Sequence, residues 1–417
     1  MRRLLRTVLL TALVVCGLTP SAAGPVLAFE DVSPGDLDPA FSGNGLVILP
    51  DGAEPRVAAA ADGGSFASRV TTDGWVVMKL RADGAPDASF AGDGAAAVDV
   101  RFSNGPEIGV TPGDGIVGAG MRYRDFESSI IVVRLSAAGR RVRSFGTRGV
   151  ARFDPFADAP HYVTGVVVQP SGRIVVGGFQ QYGPRGLDTA PFLLGITPTG
   201  ELDPAFGDAG MVVTKLARRS AIYGFAMTTA GRIVGVGAVR PGPAAVIARW
   251  RVNGSIDRTF GDRGAVRWPE SPSASAVAVS PSGDVLAGGL RRIDGMWAGP
   301  GIVRLTEDGR VDPSFDGGTV ALPGSEFLSV YGLTVQDDGS GLAVTASGGI
   351  DNDILVSRVD TEGVLDPAFG VGGVARIERR GHDDPGDAAL DGGGDLLVIG
   401  RTSPAGPRKV LVARILT

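Results

Sequence analysis

Short runs of valine, isoleucine, leucine and alanine alternate along this chain with polar turns that carry glycine. VVVQPSGRIVVGG (166–178) shows the layout. Two apolar runs flank a tight return, where glycine supplies the positive φ that such a turn needs. The pattern recurs in IGVTPGDGIVGAG (108–120), FAMTTAGRIVGVG (225–237), AVAVSPSGDVLAGG (276–289) and LTVQDDGSGLAV (333–344), with looser copies at 57–68 and 387–400. Valine and isoleucine favour a pleated, half-buried surface, so each copy predicts a β-hairpin. No segment after residue 30 keeps a helical apolar period with caps, and almost no helix is expected.

A second pattern sets the spacing of the hairpins. Gly-x-x-Asp-Pro-x-Phe-Gly recurs with anchor phenylalanines Phe41, Phe90, Phe145, Phe206, Phe260, Phe315 and Phe369. Six residues before each stands a glycine: Gly35, Gly84, Gly139, Gly200, Gly254, Gly309 and Gly363. Successive glycines are 49, 55, 61, 54, 55 and 54 residues apart, with 55 from Gly363 to the last residue. Seven units therefore fill 35–417, as 35–83, 84–138, 139–199, 200–253, 254–308, 309–362 and 363–417. A period of this size signals a repeat architecture. Each unit reads as anchor, short strand, hairpin and final strand.

A cation stands in the final strand, eleven residues before the next anchor: Lys79, Arg134, Arg249, Arg304 and Arg358, with Arg414 at the equivalent place in the last unit. Gly195 occupies it in unit 3. Three residues before the anchor lies Asp38, Asp87, Asp203, Asp257, Asp312 or Asp366, with Val142 the exception. A structural ion pair, or a hydrogen bond to turn backbone, repeated once per unit, accounts for both positions.

A four-stranded unit cannot bury both faces alone, so neighbours must supply the core. An open stack would also need polar caps, and neither terminal unit provides one. The expected fold is thus all-β: a seven-bladed β-propeller of four-stranded antiparallel blades, with an open β-solenoid as the alternative. Adjacent strands lie about 4.8 Å apart, so the link between units, such as 305–319, could cross a blade of roughly 14 Å. Alternatively the link stays within one sheet, and LVIL (46–49) pairs with the C-terminal strand to latch the ring. Both phasings remain open here. The 65 glycines and 28 prolines among 417 residues fit a fold with many turns. At this size a single core is unusual, and a ring of small interfaces avoids the difficulty.

Residues 1–28 read as a secretory signal: Arg2, Arg3 and Arg6, an apolar stretch from Val8 to Leu18, then small residues with cleavage sites after Ala23 or Ala28. Residues 29–34 form a linker. Cys16, the sole cysteine, follows valine and not the small residue that lipid attachment wants, so no lipoprotein anchor is expected. Removal of the signal leaves no cysteine, hence no disulfide and no thiolate chemistry. The expected location is extracellular or periplasmic, with no membrane span in the mature chain.

Chemistry is sparse. Two histidines, His161 and His382, do not make a multi-histidine zinc site, and no metal site is expected. No Gly-x-Ser-x-Gly elbow or phosphate loop occurs, and no motif implies a cofactor or a catalytic residue. Gly115–Gly120 and Gly235–Gly237 read as close-packed strand glycines. His382–Asp387 and Asp351–Asp353 read as solvated turns or loop tips. Net charge is −5, with no basic block outside the signal, so no nucleic-acid partner is expected.

Function on a rigid repeat scaffold rides on its loops. Three units are longer between their last two strands, at 121–129, 179–191 and 290–300. These segments carry Arg122, Tyr123, Arg124, Tyr182, Arg185, Arg291, Arg292 and Trp297. The shared position predicts a common face. Aromatics and arginine are enriched in binding hot spots, which makes Arg122, Tyr123, Tyr182, Arg185, Arg292 and Trp297 the candidate ligand-binding set.

GELDPAFGDAG (200–210), GRVDPSFDGG (309–318) and GVLDPAFGVGG (363–373), each followed by a strand and a hairpin, resemble the delta-60 repeat. The resemblance covers 35–417 and departs at Val142. It implies a bacterial secreted or envelope protein with propeller-like repeats, and it brings no catalytic residues. The expected function is non-catalytic binding of a protein or glycan at the cell envelope by a monomer. A propeller-type hydrolase, lyase or quinoprotein-like oxidoreductase with a site in the central channel is the alternative. A convergent set of Asp, Arg and His at one channel mouth would favour the enzyme.

Overall fold

The computed structural model describes residues 32–417, except 104, 125–126, 157–158, 184–185, 380 and 404–407. The signal segment lies outside these residues. Strand β1 (Leu46–Leu49) comes first. Blade 1 follows with β2 (Ala53–Ala59), β3 (Ser65–Thr71), β4 (Gly74–Leu80) and β5 (Ala95–Val98). Blade 2 holds β6 (Glu107–Thr111), β7 (Gly115–Arg124), β8 (Glu127–Leu135) and β9 (Val150–Phe153). Blade 3 holds β10 (His161–Val168), β11 (Ile174–Tyr182), β12 (Asp188–Ile196) and β13 (Met211–Val213). Blade 4 holds β14 (Arg219–Met227), β15 (Ile233–Arg240), β16 (Ala244–Trp250) and β17 (Ala265–Trp268). Blade 5 holds β18 (Ala274–Val279), β19 (Val285–Ile293), β20 (Met296–Leu305) and β21 (Thr319–Ala321). Blade 6 holds β22 (Gly332–Val335), β23 (Gly341–Ala346), β24 (Ile354–Val359) and β25 (Val374–Ile377). Blade 7 holds β26 (His382–Leu390), β27 (Leu396–Ser403) and β28 (Lys409–Ile415), and β1 completes it.

Strands within each blade pair antiparallel in chain order. The first strands touch one another in a closed circuit, β2 to β6 and onward to β26 and back to β2, so they surround the axis. Blades 3 and 4 also meet through one parallel pair, Thr189 with Arg219. The phasing question has a clear answer. The strand after each anchor is the outermost strand of the preceding blade, and β1 pairs with β28, Leu46 opposite Ala413 and Leu49 opposite Val410. The ring is therefore latched by the N-terminal strand within the last blade.

Seven separate hydrophobic cores lie between successive blades, each holding one anchor phenylalanine. All seven rings are at most 1% exposed. A hydrogen bond repeats at every interface: the N–H after the anchor donates to the carbonyl just before the next unit's glycine. Gly261 donates to Asp308 at 2.9 Å, and at the closure Gly370 donates to Pro34 at 2.8 Å. Gly309 shows why glycine opens each unit. Its φ is +82°, and a Cβ there would lie 2.6 Å from the Gly261 nitrogen and 2.9 Å from the Phe260 ring.

Antiparallel strands alternate in direction. The hairpins between second and third strands, and the connections from blade to blade, therefore emerge on one face. The anchor loops and the turns between first and second strands emerge on the other. Among the described residues no helix is long and apolar enough to cross a membrane; a single 3₁₀ turn, Asp316–Gly318, is the only helical element.

Candidate functional site

The seven innermost strands enclose an axial cavity of about 300 Å³. Inner strands β2, β10, β14, β18 and β26 break register with their neighbours in mid-strand, between residues such as Ile222 and Gly224. Such bulges re-aim a side chain, and here Thr164, Tyr223 and Ser275 reach the cavity, as does Tyr331 of the segment leading into β22. Thr164 Oγ1 donates to the Ile222 carbonyl and Ser275 Oγ to the Val330 carbonyl, both at 2.8 Å. Burial raises the Tyr223 and Tyr331 phenols above their ordinary pKa.

One charged group sits where blades 7, 1 and 2 meet. Arg56 donates from Nε to Glu107 Oε2 at 2.9 Å and from Nη2 to Oε1 at 2.7 Å, a bidentate pair across two blades. Its Nη1 donates to the Pro55 carbonyl at 3.1 Å. The Glu107 carboxylate holds the Arg56 guanidinium firmly charged. Asp387 accepts the Val57 N–H at 3.2 Å and the Ala388 N–H at 2.9 Å. Burial pushes its carboxyl up to about 6, against the opposing pull of Arg56. The cation is thus committed to Glu107, and no histidine lines the cavity. Asp387 is the one lining carboxylate poised near neutrality.

The three longer segments share the hairpin face. They are not loops: β7 with β8, β11 with β12 and β19 with β20 continue as paired ribbons almost to their tips. Tyr123, 54% exposed, stands opposite Ser128 on the blade 2 ribbon, and its N–H donates to Ser103 Oγ at 2.8 Å. Arg122 faces Ser129 on the same ribbon. Tyr182 donates through its hydroxyl to the Arg218 carbonyl at 3.2 Å, and Lys215 Nζ lies 5.1 Å from its ring centre. Arg292 and Trp297 are a cross-strand pair on the blade 5 ribbon, with the guanidinium 5.0 Å from the indole centre. Arg185 lies outside the described residues. The structure thus joins Arg292 to Trp297, and it places the three ribbons on blades 2, 3 and 5.

One polar cluster differs from expectation, while Asp351–Asp353 does lie in the loop between β23 and β24 with Asp351 exposed. His382–Asp387 is not a solvated turn but the start of innermost strand β26. Asp383 is buried; its N–H donates to the Asn352 carbonyl at 2.6 Å, and its Oδ2 accepts the Arg379 N–H. His382 Nε2 lies 2.8 Å from Asp384 Oδ1, and its Nδ1 contact with the Ile350 carbonyl helps raise its pKa. In the loop between β23 and β24 the side chains of Asn352 and Asp353 are buried rather than solvated, Asn352 against the Asp383 carbonyl and Asp353 against Arg376. Polar residues on an innermost strand can face the channel or a neighbouring loop, so polarity there does not mark a turn. His161 is buried between Phe156 and Phe192 with Ser128 Oγ 3.1 Å from Nδ1, and burial lowers its pKa. Among the described residues no three His, Cys, Asp or Glu side chains converge as a metal site would require.

Sequence reasoning missed Arg56, Glu107 and Asp387. The available signal was position: each stands four residues before the turn that closes the first hairpin, where the other units carry glycine or alanine.

No protein-family model matches the chain, and no curated protein matches it by sequence. Solved structures do match. The Dos1 propeller is similar with a TM-score of 0.52 at 9% identity, covering 91% of this chain and 94% of that one. The polysaccharide lyase Uly1 gives 0.49 at 10% identity, covering 94% of each chain. The Nup133 β-propeller domain of Vanderwaltozyma polyspora gives 0.47 at 9% identity, covering 88% of this chain and 97% of that one. Identity at this level speaks of fold alone, and with the seven four-stranded sheets it establishes the chain as a β-propeller.

Proposed function

We propose that this chain is a non-catalytic binding propeller, exported to the cell envelope, that takes a protein or glycan on its hairpin face. The supporting observation is the uneven distribution of exposed apolar side chains. Tyr123, Leu187, Tyr223, Ile293, Met296, Trp297, Phe327, Tyr331 and Ile350 are exposed on that face or at its channel mouth. On the anchor face the exposed apolar residues are the valines Val252, Val311, Val364 and Val371. The segment 322–330 lies between the blade 5 and blade 6 hairpins, with Leu322 N–H on the Pro300 carbonyl and Ser325 N–H on the Ala346 carbonyl, both at 3.0 Å. Met296, Trp297, Phe327 and Ile350 therefore share one sector. Exposed apolar side chains grouped in one sector support an interaction site there. The resemblance of the repeat to the delta-60 repeat supports the envelope location.

The test is binding of the exported chain to a glycan array and to a bacterial envelope extract, with Trp297→Ala and Phe327→Ser compared against wild type. Truncating an aromatic hot spot costs about 2 kcal/mol, roughly thirtyfold in affinity. Unchanged binding by both variants defeats the proposal. A channel enzyme is the second reading, and Asp387 is what favours it. Turnover of any ligand so found, abolished by Asp387→Asn, would put that reading first.

A further inference from the structure

The repeat's ion pair fails in one blade only. Arg249 Nε donates to Asp257 at 2.9 Å, and Arg304 to Asp312 and Arg358 to Asp366 at 2.8 Å each. Arg414 pairs with Asp38 across the ring closure at 2.6 Å, and Lys79 lies 3.2 Å from Asp87. Where Gly195 replaces the cation, Arg173 from the neighbouring turn takes Asp203 at 2.6 Å and lies over the Phe206 ring. In blade 2 the missing member is the acid. Val142 occupies its place, and nothing substitutes. Arg134 keeps its contact from Nη1 to the Pro198 carbonyl, at 2.7 Å, while its Nε is buried with no partner among the described residues.

The same stretch is the most basic in the protein. Residues 128–153 hold six arginines (134, 140, 141, 143, 148 and 152) and no aspartate or glutamate, in a chain of net charge −5. Arg140, Arg141, Arg143 and Arg148 are exposed and together line a concavity of about 850 Å³ on the anchor face. None of the four has a carboxylate within 4 Å among the described residues. The fold brings them together: Leu135 bridges to Arg141, and a Cβ on Gly149 would lie 2.7 Å from the Arg141 Cβ. Three of the four stand nearly side by side as Arg140-Arg141-Val142-Arg143, a short basic block outside the signal that the reading of charge along the chain passed over.

We propose that this concavity binds an acidic polysaccharide through its carboxylate or sulfate groups. Arginine's planar fork suits such oxyanions in a way that a lysine point charge does not. A carboxylate is also what the equivalent arginine holds in blades 4, 5, 6 and 7. The lining offers no aromatic or long apolar side chain. A peptide would find no pocket for an anchor residue, and an unpaired base would find no ring to stack on. A chain whose recurring handle is its charge fits what is present. The site is on the face opposite the hairpin ribbons and is independent of the function proposed above.

Polygalacturonate is the probe, titrated against the full chain at physiological salt, with dextran, poly-L-glutamate and a DNA oligonucleotide alongside. Polygalacturonate should bind, dextran should not, and the other two polyanions should bind at least roughly tenfold more weakly. Arg141→Ser with Arg143→Ser should weaken polygalacturonate binding by roughly tenfold. Val142→Asp keeps every arginine but restores the internal counter-ion, so it should weaken binding severalfold while circular dichroism and melting temperature stay at or above wild type. Trp297→Ala, on the other face, should bind polygalacturonate as wild type does. Dextran binding, equal affinity for poly-L-glutamate or DNA, or wild-type affinity in both anchor-face variants would overturn the assignment.

Discussion

The ring is closed by a pair that no other blade depends on in the same way, and breaking it offers a quantitative test of the architecture. Asp38 and Arg414 are 376 residues apart and have side chains only 8% and 11% exposed. Arg414 also donates from Nη1 to the Ala82 carbonyl of blade 1 at 2.6 Å, so one guanidinium ties the N-terminal segment, blade 7 and blade 1 together. Asp38→Asn keeps the Oδ1 that accepts the Ala40 N–H and removes the charge that compensates Arg414. Stripping one partner from a buried pair costs about 3 kcal/mol or more where the other is left uncompensated; Asp391 Oδ2 remains 3.7 Å from Arg414 Nη1, so the loss should fall at the lower end, about 3 kcal/mol. Asp366→Asn is the internal control. It has the same turn hydrogen bond, to Ala368, and the same arginine geometry, but its carboxylate is 26% exposed and it lies within one continuous stretch of chain. Its loss should cost about 1 kcal/mol after solvent screening. Urea denaturation gives both values, and hydrogen exchange locates them. In Asp38→Asn the amides of 37–49 should exchange roughly a hundredfold faster, since β1 has only β28 to hold it. Equal losses in the two variants, or unchanged exchange in β1, would refute the latch as a distinct weak point.

Two further predictions follow from particular atoms. Gly309→Ala should cost about 2–3 kcal/mol by chemical denaturation, since a left-handed φ and a close approach to Gly261 and Phe260 act together, whereas Gly63→Ala, with φ +81° and nothing within 4 Å, should cost about 1 kcal/mol. Equal costs would mean that the interface tolerates a Cβ. Asp387 carries the opposite pH dependence from the paired carboxylates. Its folded pKa, about 6, stands above the usual 3.8, so its contribution is most favourable below pH 4, declines from pH 4 to 6, and is absent above that. The gap corresponds to at most about 3 kcal/mol. Asp387→Asn should therefore gain stability relative to wild type as pH rises from 4 to 7, with no further change above; a flat difference would show that the channel carboxylate is well hydrated.

The repeat made the fold legible. Seven anchors, a hairpin in each unit and no helical period led to seven four-stranded blades, and the anchor phenylalanines do fill the seven interfaces. The phasing was hidden because a period has no origin: LVIL (46–49) reads the same whether it starts blade 1 or completes blade 7. The ribbons were hidden because polar residues such as Arg122 and Gln181 pair across strands that project beyond the core, where no apolar alternation is needed. The channel charges were hidden for the related reason that a cavity on the axis turns the usual sense of inside and outside around.

Regularity also gives the exceptions their meaning. At Gly195 the repeat lost its cation, and the ring recruited Arg173 onto Asp203 so that the acid stayed paired. At Val142 the repeat lost its acid, and the surroundings moved the other way: Arg134 was left uncompensated, and Arg140, Arg141, Arg143 and Arg148 gathered at the surface beside it. Like charges held close together destabilise a fold unless something outside it supplies the counter-charge. Blade 2 thus lacks, at this position of the repeat, the counter-charge that the other six blades keep. Val142→Asp measures the cost of that lack directly, because a variant that is more stable yet binds polygalacturonate less would show that the fold gave up stability for a ligand.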